Sequence, residues 1–197
     1  PRQLAVGGAF LSMRRVHVCG DSGSGKTTLA KALAVRKGLP HTELDSLFHL
    51  PNWAERPRDE FRGLVADVAA EDSWVIDGNY SSVRDVVWSR ADTVVWLDYA
   101  LALVLWRLWT RTWRRWARRE VLWNGNRERL WKHFFTKDSL FWWVITSTKR
   151  RSRFYESAMG SALYDGIKFI RLRSPRETEA WLDEVTPRDE MGLPPPE

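Results

Sequence analysis

The chain has 197 residues, of which 31 are Lys or Arg and 25 are Asp or Glu, giving a formal net charge of +6. A chain of this length buries about two-thirds of its unfolded surface, which excludes dependence on disulfides or a structural metal. The single cysteine, Cys19, excludes an internal disulfide and predicts a cytoplasmic location. Asp98 interrupts the longest apolar run, at 93–106, so we expect a soluble protein without a transmembrane helix.

Residues 1–12 are weakly patterned, and we interpret them as an N-terminal extension ahead of Met13. The segment RRVHVCG then predicts a short buried strand that ends at Gly20. KTTLAKALAVRKG predicts a helix closed by Gly38. A strand, a glycine-rich turn and a helix in this order are the opening unit of a nucleotide-binding fold.

The turn between them, GDSGSGKT at residues 20–27, matches G-x-x-x-x-G-K-[ST] in full. Glycines let backbone N–H groups wrap a phosphate chain, and the next helix directs its positive N-terminus at the same anion. We expect Lys26 to reach the β- and γ-phosphates and the Thr27 hydroxyl to bind Mg²⁺. The nucleotide site is predicted to comprise Gly20, Ser22, Gly23, Ser24, Gly25, Lys26, Thr27 and Thr28.

The segment LPHTELDSLF predicts a second strand that ends near Asp45, and RDEFRGLVADVAAED predicts a helix after Pro57. A carboxylate at this strand end could accept the proton of a substrate hydroxyl, which makes Asp45 a candidate catalytic base. The alternative role for Asp45 is the N-cap of a helix in SLFHL. His49 and Trp53 follow on the same loop, where they either line a substrate pocket or pack within the domain.

Two acids end apolar strands and are candidates for a second Mg²⁺ ligand beside Thr27. Asp77 ends WVID, and Asp98 ends VVWLD. Gly78 begins a turn directly after Asp77, at the sheet edge where the active-site crevice of such folds lies. We therefore predict that Asp77 binds the metal. Asp98 is expected to cap or orient the following helix, with metal binding as its alternative.

Residues 101–153 are strongly basic and rich in tryptophan, with 14 Lys or Arg against three acids and eight of the chain's 13 tryptophans. On a helical wheel of about 100° per residue, the tryptophans of residues 106–123 share one side and the arginines the opposite side. This pattern predicts an amphipathic helix whose tryptophans pack against the domain. Arg107 and Arg111 lie one turn apart near the carboxyl edge of the sheet, so we predict that they contact the transferred phosphate.

DGIKFIRLRS predicts a last strand and SPRETEAWLDEV a last helix. That helix is expected to begin with Ser174 as N-cap, Pro175 in the first turn and Glu177 completing a capping box. Residues 186–197 form a proline-rich tail that we expect to be disordered. Strands that alternate with helices five times predict a parallel sheet covered on both faces, an α/β three-layer sandwich.

These motifs resemble those of the adenylate-kinase-like P-loop kinases: the loop GDSGSGKTTLA, the strand end VIDGNY, the spacing of Arg107 and Arg111, and LRSPRE. Four longer segments are similar to bacterial proteins called topology modulation proteins, a branch of that superfamily. They are ELDSLFHLPNW, WVIDGNYSSVRD, LWNGNRE and RLRSPRETEAWL. The resemblance covers residues 13–185 and implies a P-loop NTPase fold with a five-stranded parallel sheet and a helical, Trp/Arg-rich lid inserted at about 111–153.

The resemblance also implies roles for particular residues. Asp77 would serve Mg²⁺, and Arg107 and Arg111 would contact the triphosphate from the start of the lid. Asp45 would stand where small-molecule kinases of this superfamily carry an acid. The loop at residues 174–175 would border the adenine of ATP.

One part of the chain departs from this pattern. After Gly78 the chain reads Asn79-Tyr80, not the Phe-Pro-Arg that helps nucleoside monophosphate kinases hold their acceptor, so an AMP-like acceptor is disfavoured and Arg84 is a candidate substitute. The turn WNGNRE, at 123–128, has amides that suit hydrogen bonding to a substrate or to the neighbouring lid helix. Three arginines near the end of the lid either join the phosphate site or are solvated: Arg150, Arg151 and Arg153.

The leading functional prediction is an ATP- and Mg²⁺-dependent phosphotransferase that acts on a small acceptor. Phosphoryl transfer depends mainly on charge neutralisation and exclusion of water, and arginines on a closing lid provide both. The alternative is an ATP-binding regulatory protein that grips nucleic acid through the same basic region, by tryptophan stacking and arginine contacts. Attachment to a membrane surface is disfavoured, because it requires the tryptophans to be exposed.

Overall fold

The computed structural model describes residues 13–117, 124 and 140–186, and for residue 115 and residues 140–145 it describes the backbone alone. The N-terminal extension, about half of the predicted lid and almost all of the proline-rich tail therefore lie outside the described residues. Among the helices of the described part, none is long and apolar enough to span a membrane.

Five strands form one parallel sheet, as the alternation of strands and helices predicts. They are β1 (Arg15–Gly20), β2 (His41–Glu43), β3 (Trp74–Asp77), β4 (Thr93–Leu97) and β5 (Lys168–Leu172). The spatial order is β2-β3-β1-β4-β5, and every neighbouring pair is parallel. Because the order of the strands reverses at β1, the loop that follows β1 opens into the crevice at the carboxyl edge of the sheet.

Helices cover both faces of the sheet. They are α1 (Lys26–Lys37), α2 (Leu44–Phe48), α3 (Arg58–Ala70), α4 (Arg84–Trp88), α5 (Leu101–Ala117), α6 (Leu140–Met159) and α7 (Pro175–Val185). One core packs α1, α5 and α7 against the sheet, and a second core packs α2, α3, α4 and α6 against the other face. Successive strand residues point to opposite faces, so Val95 joins the first core and Val94 the second.

The single cysteine lies at the centre of this sheet, in β1. Cys19 is fully buried, and its Sγ donates to the carbonyl oxygen of Val95 at 3.6 Å. Burial raises the pKa of the Cys19 thiol to about 12, because the thiolate would lose its hydration. The side chain is therefore a protonated packing group.

The second strand is shorter than the sequence predicts. β2 ends at Glu43, and α2 begins directly at Leu44, with Glu43 in the N-cap position. Asp45 therefore lies in the first turn of α2, and its alternative role as an N-cap is wrong. The register explains the early end, because Glu43 is paired with Asp77, the last residue of β3, and no further partner is available in that strand.

The start of α7 agrees with the sequence in all but one contact. Ser174 is the N-cap, and its Oγ accepts the N–H of Glu177 at 3.2 Å. The Glu177 carboxylate accepts the N–H of Arg173 at 2.7 Å, where a capping box would use the N–H of Ser174 itself. Pro175 is the first helical residue, as predicted.

The orientation of α5 overturns one expectation. Its buried residues are Val104, Leu108 and Thr112, which recur every four residues and so form one stripe. Its tryptophans lie outside that stripe and are between 46% and 64% exposed: Trp106, Trp109, Trp113 and Trp116. The prediction that these tryptophans pack against the domain is wrong. Attachment to a membrane surface was disfavoured because it requires exposed tryptophans, and that reason no longer holds.

Candidate active site

The glycine-rich loop at residues 20–27, hereafter the P-loop, lies directly against α5. Gly23 adopts φ +88°, and a Cβ on it would come within 2.9 Å of the Val104 carbonyl oxygen. Only glycine therefore permits this approach of loop to helix. The contact places the loop between the N-terminus of α1 and the first half of α5, where one face of α5 can reach the phosphate-binding backbone.

The P-loop offers polar groups that suit a bound polyphosphate. Ser24 Oγ is buried and has no hydrogen-bond partner among the described residues. Lys26 Nζ donates to the carbonyl oxygen of Asp21 at 3.1 Å, which leaves ammonium N–H groups for another anion. Burial lowers the pKa of Lys26, while the charges of Asp45 and Asp77 oppose that shift. The residues present thus fit a nucleoside triphosphate. Thr28, one residue past the loop, is exposed.

The two predicted metal ligands lie together. Thr27 Oγ1 donates to Asp77 Oδ1 at 3.0 Å, although one residue lies in the first turn of α1 and the other ends β3. In the part of the chain that the structure describes, no group of three or more His, Cys, Asp or Glu could hold a metal ion. One hydroxyl and one carboxylate, from Thr27 and Asp77, suit Mg²⁺, which takes one or two protein ligands and completes its shell with phosphate oxygens and water.

Asp77 has a further partner that the sequence did not reveal. His41 Nε2 lies 2.7 Å from Asp77 Oδ2, so the two oxygens of this buried carboxylate face Thr27 and His41. The pairing of β2 with β3 brings the two residues together, because it sets His41 opposite Val75, two positions before Asp77 on the neighbouring strand. A histidine at the head of a short strand carries no motif of its own.

Asp45 is held by a tyrosine from the turn after β3. Tyr80 OH donates to Asp45 Oδ1 at 2.6 Å, and the Tyr80 ring packs against the rings of Phe48 and Phe61, at centroid distances of 4.8 and 5.2 Å. Burial and the charge of Asp45 both raise the pKa of Tyr80, so the phenol remains a hydrogen-bond donor. Among the described residues, Asp45 Oδ2 has no hydrogen-bond partner, so this oxygen can accept a further hydrogen bond.

Arg107 and Arg111 reach the P-loop from α5, and their contact with the transferred phosphate stays a prediction. Arg107 Nη1 donates to the carbonyl oxygen of Ser24 at 3.3 Å, and Arg111 Nη2 donates to Ser22 Oγ at 3.3 Å. The Arg107 guanidinium also lies 5.5 Å from the centroid of the Tyr99 ring. Two guanidinium groups are thus placed beside the loop that would hold the phosphates.

The three arginines of α6 differ in position. Arg151 forms an ion pair with Asp21 of the P-loop, and both side chains are 12% exposed. Thr148, one turn earlier on α6, donates from Oγ1 to Asp21 Oδ2 at 3.0 Å. Arg150 and Arg153 are exposed. Of this trio, the structure brings Arg151 alone to the P-loop.

Asp98 does not cap α5. Its carboxylate accepts two hydrogen bonds from Arg171 of β5, at 2.9 Å from Nε and 2.6 Å from Nη2. Ser152 of α6 lies 3.4 Å from its other oxygen. Asp98 therefore ties the end of β4 to β5 and α6, a structural role that its place at a strand end did not distinguish from metal binding.

Asn124 contacts the loop after α2, and it is the one residue of the turn predicted at 123–128 that the structure describes. The ring of His49 lies 5.1 Å from Phe48 and 5.2 Å from Trp53, between centroids, so these residues form an aromatic cluster. Asn124 Nδ2 donates to the carbonyl oxygen of His49. The amide of Asn124 thus binds the loop backbone, and the hydrogen bonds predicted for the rest of this turn lie outside the described residues.

Arg84 opens α4 and stacks on aromatic rings. Its guanidinium carbon lies 3.9 Å from the centroid of Phe154. Its role as a substitute for the missing Phe-Pro-Arg arginine stays a prediction.

Ser174 and Pro175 follow β5 at the carboxyl edge of the sheet, and their contact with adenine stays a prediction as well.

A buried histidine positions the backbone next to Asp77. The Nε1–H group of Trp88 donates to His17 Nδ1 at 2.8 Å, so the proton of the neutral ring is on Nε2, which donates to the Gly78 carbonyl oxygen at 3.1 Å. Burial lowers the pKa of His17 to about 4, which keeps the ring neutral near pH 7. His17 therefore fixes the peptide that follows Asp77.

No family model matches the chain. Over 132 residues it is 33% identical to the uncharacterized protein YqaC of Bacillus subtilis strain 168, a match that covers 65% of this chain and 72% of YqaC. The chain belongs to the YqaC family. The finer likeness of this family to topology modulation proteins stays a prediction.

Solved structures show which fold the YqaC family member has. Shikimate kinase from Acinetobacter baumannii, in complex with shikimate, is similar with a TM-score of 0.59 and 15% identity, over 90% of this chain and 93% of that one. Shikimate kinase from Bacteroides thetaiotaomicron has a TM-score of 0.54 and 18% identity, over 92% of this chain and 100% of that one. A gluconokinase from Sinorhizobium meliloti 1021 has a TM-score of 0.51 and 18% identity, over 91% of this chain and 97% of that one. The fold is therefore that of the P-loop small-molecule kinases.

Proposed function

We propose that the chain is an ATP- and Mg²⁺-dependent phosphotransferase that moves the γ-phosphoryl group of ATP to a hydroxyl of a small acceptor. The observation that carries the proposal is the position of Asp45. The charge of Asp45 raises the pKa of Lys26 against the effect of burial, and Tyr80 holds one of the Asp45 oxygens at 2.6 Å. A fixed carboxylate beside the P-loop lysine suits a base that acts where the phosphoryl group is transferred.

The chemistry assigns each residue a role. The acceptor oxygen forms a bond to the γ-phosphorus, the bond from that phosphorus to the bridging oxygen of ADP breaks, and the hydroxyl proton passes to Asp45 Oδ2. Lys26, Arg107 and Arg111 neutralise the charge of the phosphates. Mg²⁺, held by Thr27 and Asp77, would offset further phosphate charge. Tyr80 keeps Asp45 oriented throughout.

The acceptor is proposed to present a hydroxyl and not a phosphate. Asp45 would repel a phosphate at the position where its free oxygen meets the acceptor. Tyr80 stands in the part of the chain where nucleoside monophosphate kinases, by the resemblance, carry their acceptor arginine. The structurally similar proteins named shikimate kinase and gluconokinase are kinases of small molecules, which supports a small acceptor here.

A coupled assay of ADP release tests this proposal across polyols, sugars, hydroxy acids, nucleosides and nucleoside monophosphates. We expect turnover with one hydroxyl class, loss of turnover in Lys26→Ala, and a fall of about 10²- to 10⁴-fold in kcat for Asp45→Asn, the range of general-base catalysis. ATP affinity should change little in Asp45→Asn. Turnover with nucleoside monophosphates alone, or none with any class by a protein that binds ATP, would contradict the proposal.

A second function, binding of nucleic acid, is favoured by the exposed tryptophans of α5. Single strands bind where bases stack on aromatic rings near cations, and Arg114 is exposed on the same helix. Fluorescence polarisation with a labelled oligonucleotide at low salt tests this candidate. It requires binding that weakens steeply as salt is added and that is lost in Trp113→Ala. Equal binding by the variant would dismiss it.

A further inference from the structure

The P-loop contains an acid whose carboxylate is fully engaged by another helix. Asp21, the second residue of the loop, accepts the Arg151 guanidinium at Oδ1 and the Thr148 hydroxyl at Oδ2, both from α6. Its main-chain carbonyl oxygen accepts Lys26 Nζ at 3.1 Å. One residue of the loop is therefore the partner of two cations, the P-loop lysine and an arginine of α6.

This arrangement is unfavourable for a loop that binds a polyphosphate. A carboxylate beside the phosphates repels them, and the repulsion is weakly screened because the Asp21 side chain is 12% exposed. The ion pair also occupies Arg151, which lies as close to the loop as Arg107 and Arg111 do and could otherwise bind a phosphate. A salt bridge that served only to attach α6 would not need to stand at this position.

We propose that Asp21 is a resting-state partner that holds Arg151 until nucleotide phosphates displace it. ATP binding then exchanges the Asp21 carboxylate for a phosphate at Arg151, and the Asp21 carbonyl oxygen for a phosphate at Lys26. The inference rests on the proposed function, because it takes the P-loop to bind ATP. Its consequence is that Asp21 lowers ATP affinity and couples the position of α6 to the occupancy of the loop.

The sign of the Asp21→Asn effect tests the exchange. If Arg151 is available to phosphate in about a tenth of the molecules, its release strengthens ATP binding about tenfold. Calorimetric titration with ATP and Mg²⁺ should therefore give tighter binding for Asp21→Asn and weaker binding for Arg151→Gln. When Asp21→Asn is added to the Arg151→Gln protein, the logarithm of the ATP affinity should rise by less than half of the rise that Asp21→Asn causes alone. The arginine that Asp21→Asn would release is absent from the double variant.

Two further variants control for charge and folding. Asp183→Asn removes the same charge from an acid that pairs with Arg36 at the far end of α1, and we expect less than a twofold change in ATP affinity. Thr148→Val removes one hydrogen bond from Asp21 without changing charge, and a gain of about twofold is expected if the pair is loosened. This variant keeps the test decisive if Asp21→Asn folds poorly.

The outcomes separate this inference from the proposed function. Weaker ATP binding by Asp21→Asn, or an equal gain with and without Arg151, would overturn the exchange and leave the kinase proposal intact. The expected affinities in a protein that turns over no acceptor would support the exchange and count against the kinase. Absence of ATP binding by the unmodified chain would overturn both.

Discussion

The two sides of α5 differ in what they contact, although both are dense in large residues. On one side Val104 and Leu108 are fully buried, and Arg107 and Arg111 donate hydrogen bonds to the P-loop. On the other side four tryptophans are exposed. The approach of Gly23 to within 2.9 Å of the Val104 carbonyl, measured from an added Cβ, leaves no room for an indole between loop and helix. Close packing against the loop, and not hydrophobicity, decides which side of α5 faces inward.

The largest effect should come from the buried side. Leu108→Ala removes a fully buried side chain from the core beneath the P-loop, and we expect the free energy of unfolding to fall by about 2–5 kcal/mol. Urea denaturation measures the change. A loss below about 1 kcal/mol would mean that α5 does not pack on the domain as described.

The next effect concerns catalysis at the side of α5 that meets the loop. Arg107→Ala is expected to lower kcat about 10²- to 10³-fold, the cost of removing one donor from a charged transition state, with little change in stability. Arg114→Ala, on the exposed part of the same helix, is the matched control and should change kcat less than about twofold. Equal losses in the two variants would show that the general positive field matters and the position of Arg107 does not.

The smallest effect is expected on the tryptophan side. Trp113 is 54% exposed, so Trp113→Ala should change the free energy of unfolding by no more than about 0.5 kcal/mol. The same urea denaturation, beside Leu108→Ala, makes the comparison within one helix and with one kind of substitution. A loss close to that of Leu108→Ala would show that another part of the chain covers Trp113 in solution.

What the sequence could predict depends on the distance over which each feature is encoded. The P-loop is contiguous, and Asp77 is marked by the apolar strand before it and by Gly78 after it, so strand, loop and helix followed from local pattern. The period of an α-helix placed Arg107 and Arg111 one turn apart. It could not orient α5, because a wheel assigns residues to sides without saying which side meets the domain.

The contacts that complete the site are long-range. Tyr80 meets Asp45 and His41 meets Asp77 across 35 and 36 positions, and Arg151 meets Asp21 across 130. The first two exist because β2 lies next to β3, and the third exists because α6 returns to the P-loop. Each contact depends on the spatial order of the strands and helices, and no short segment of a single sequence encodes that order.

The burial of Cys19 has a practical consequence for following α5 in solution. The chain has no other cysteine, and a thiol with a pKa near 12 is a poor nucleophile toward alkylating reagents. A cysteine introduced at Trp106, the most exposed of the four indole positions, would therefore be the preferred site of maleimide labelling without further engineering. A fluorophore attached there would report on the surroundings of α5 as nucleotide is added.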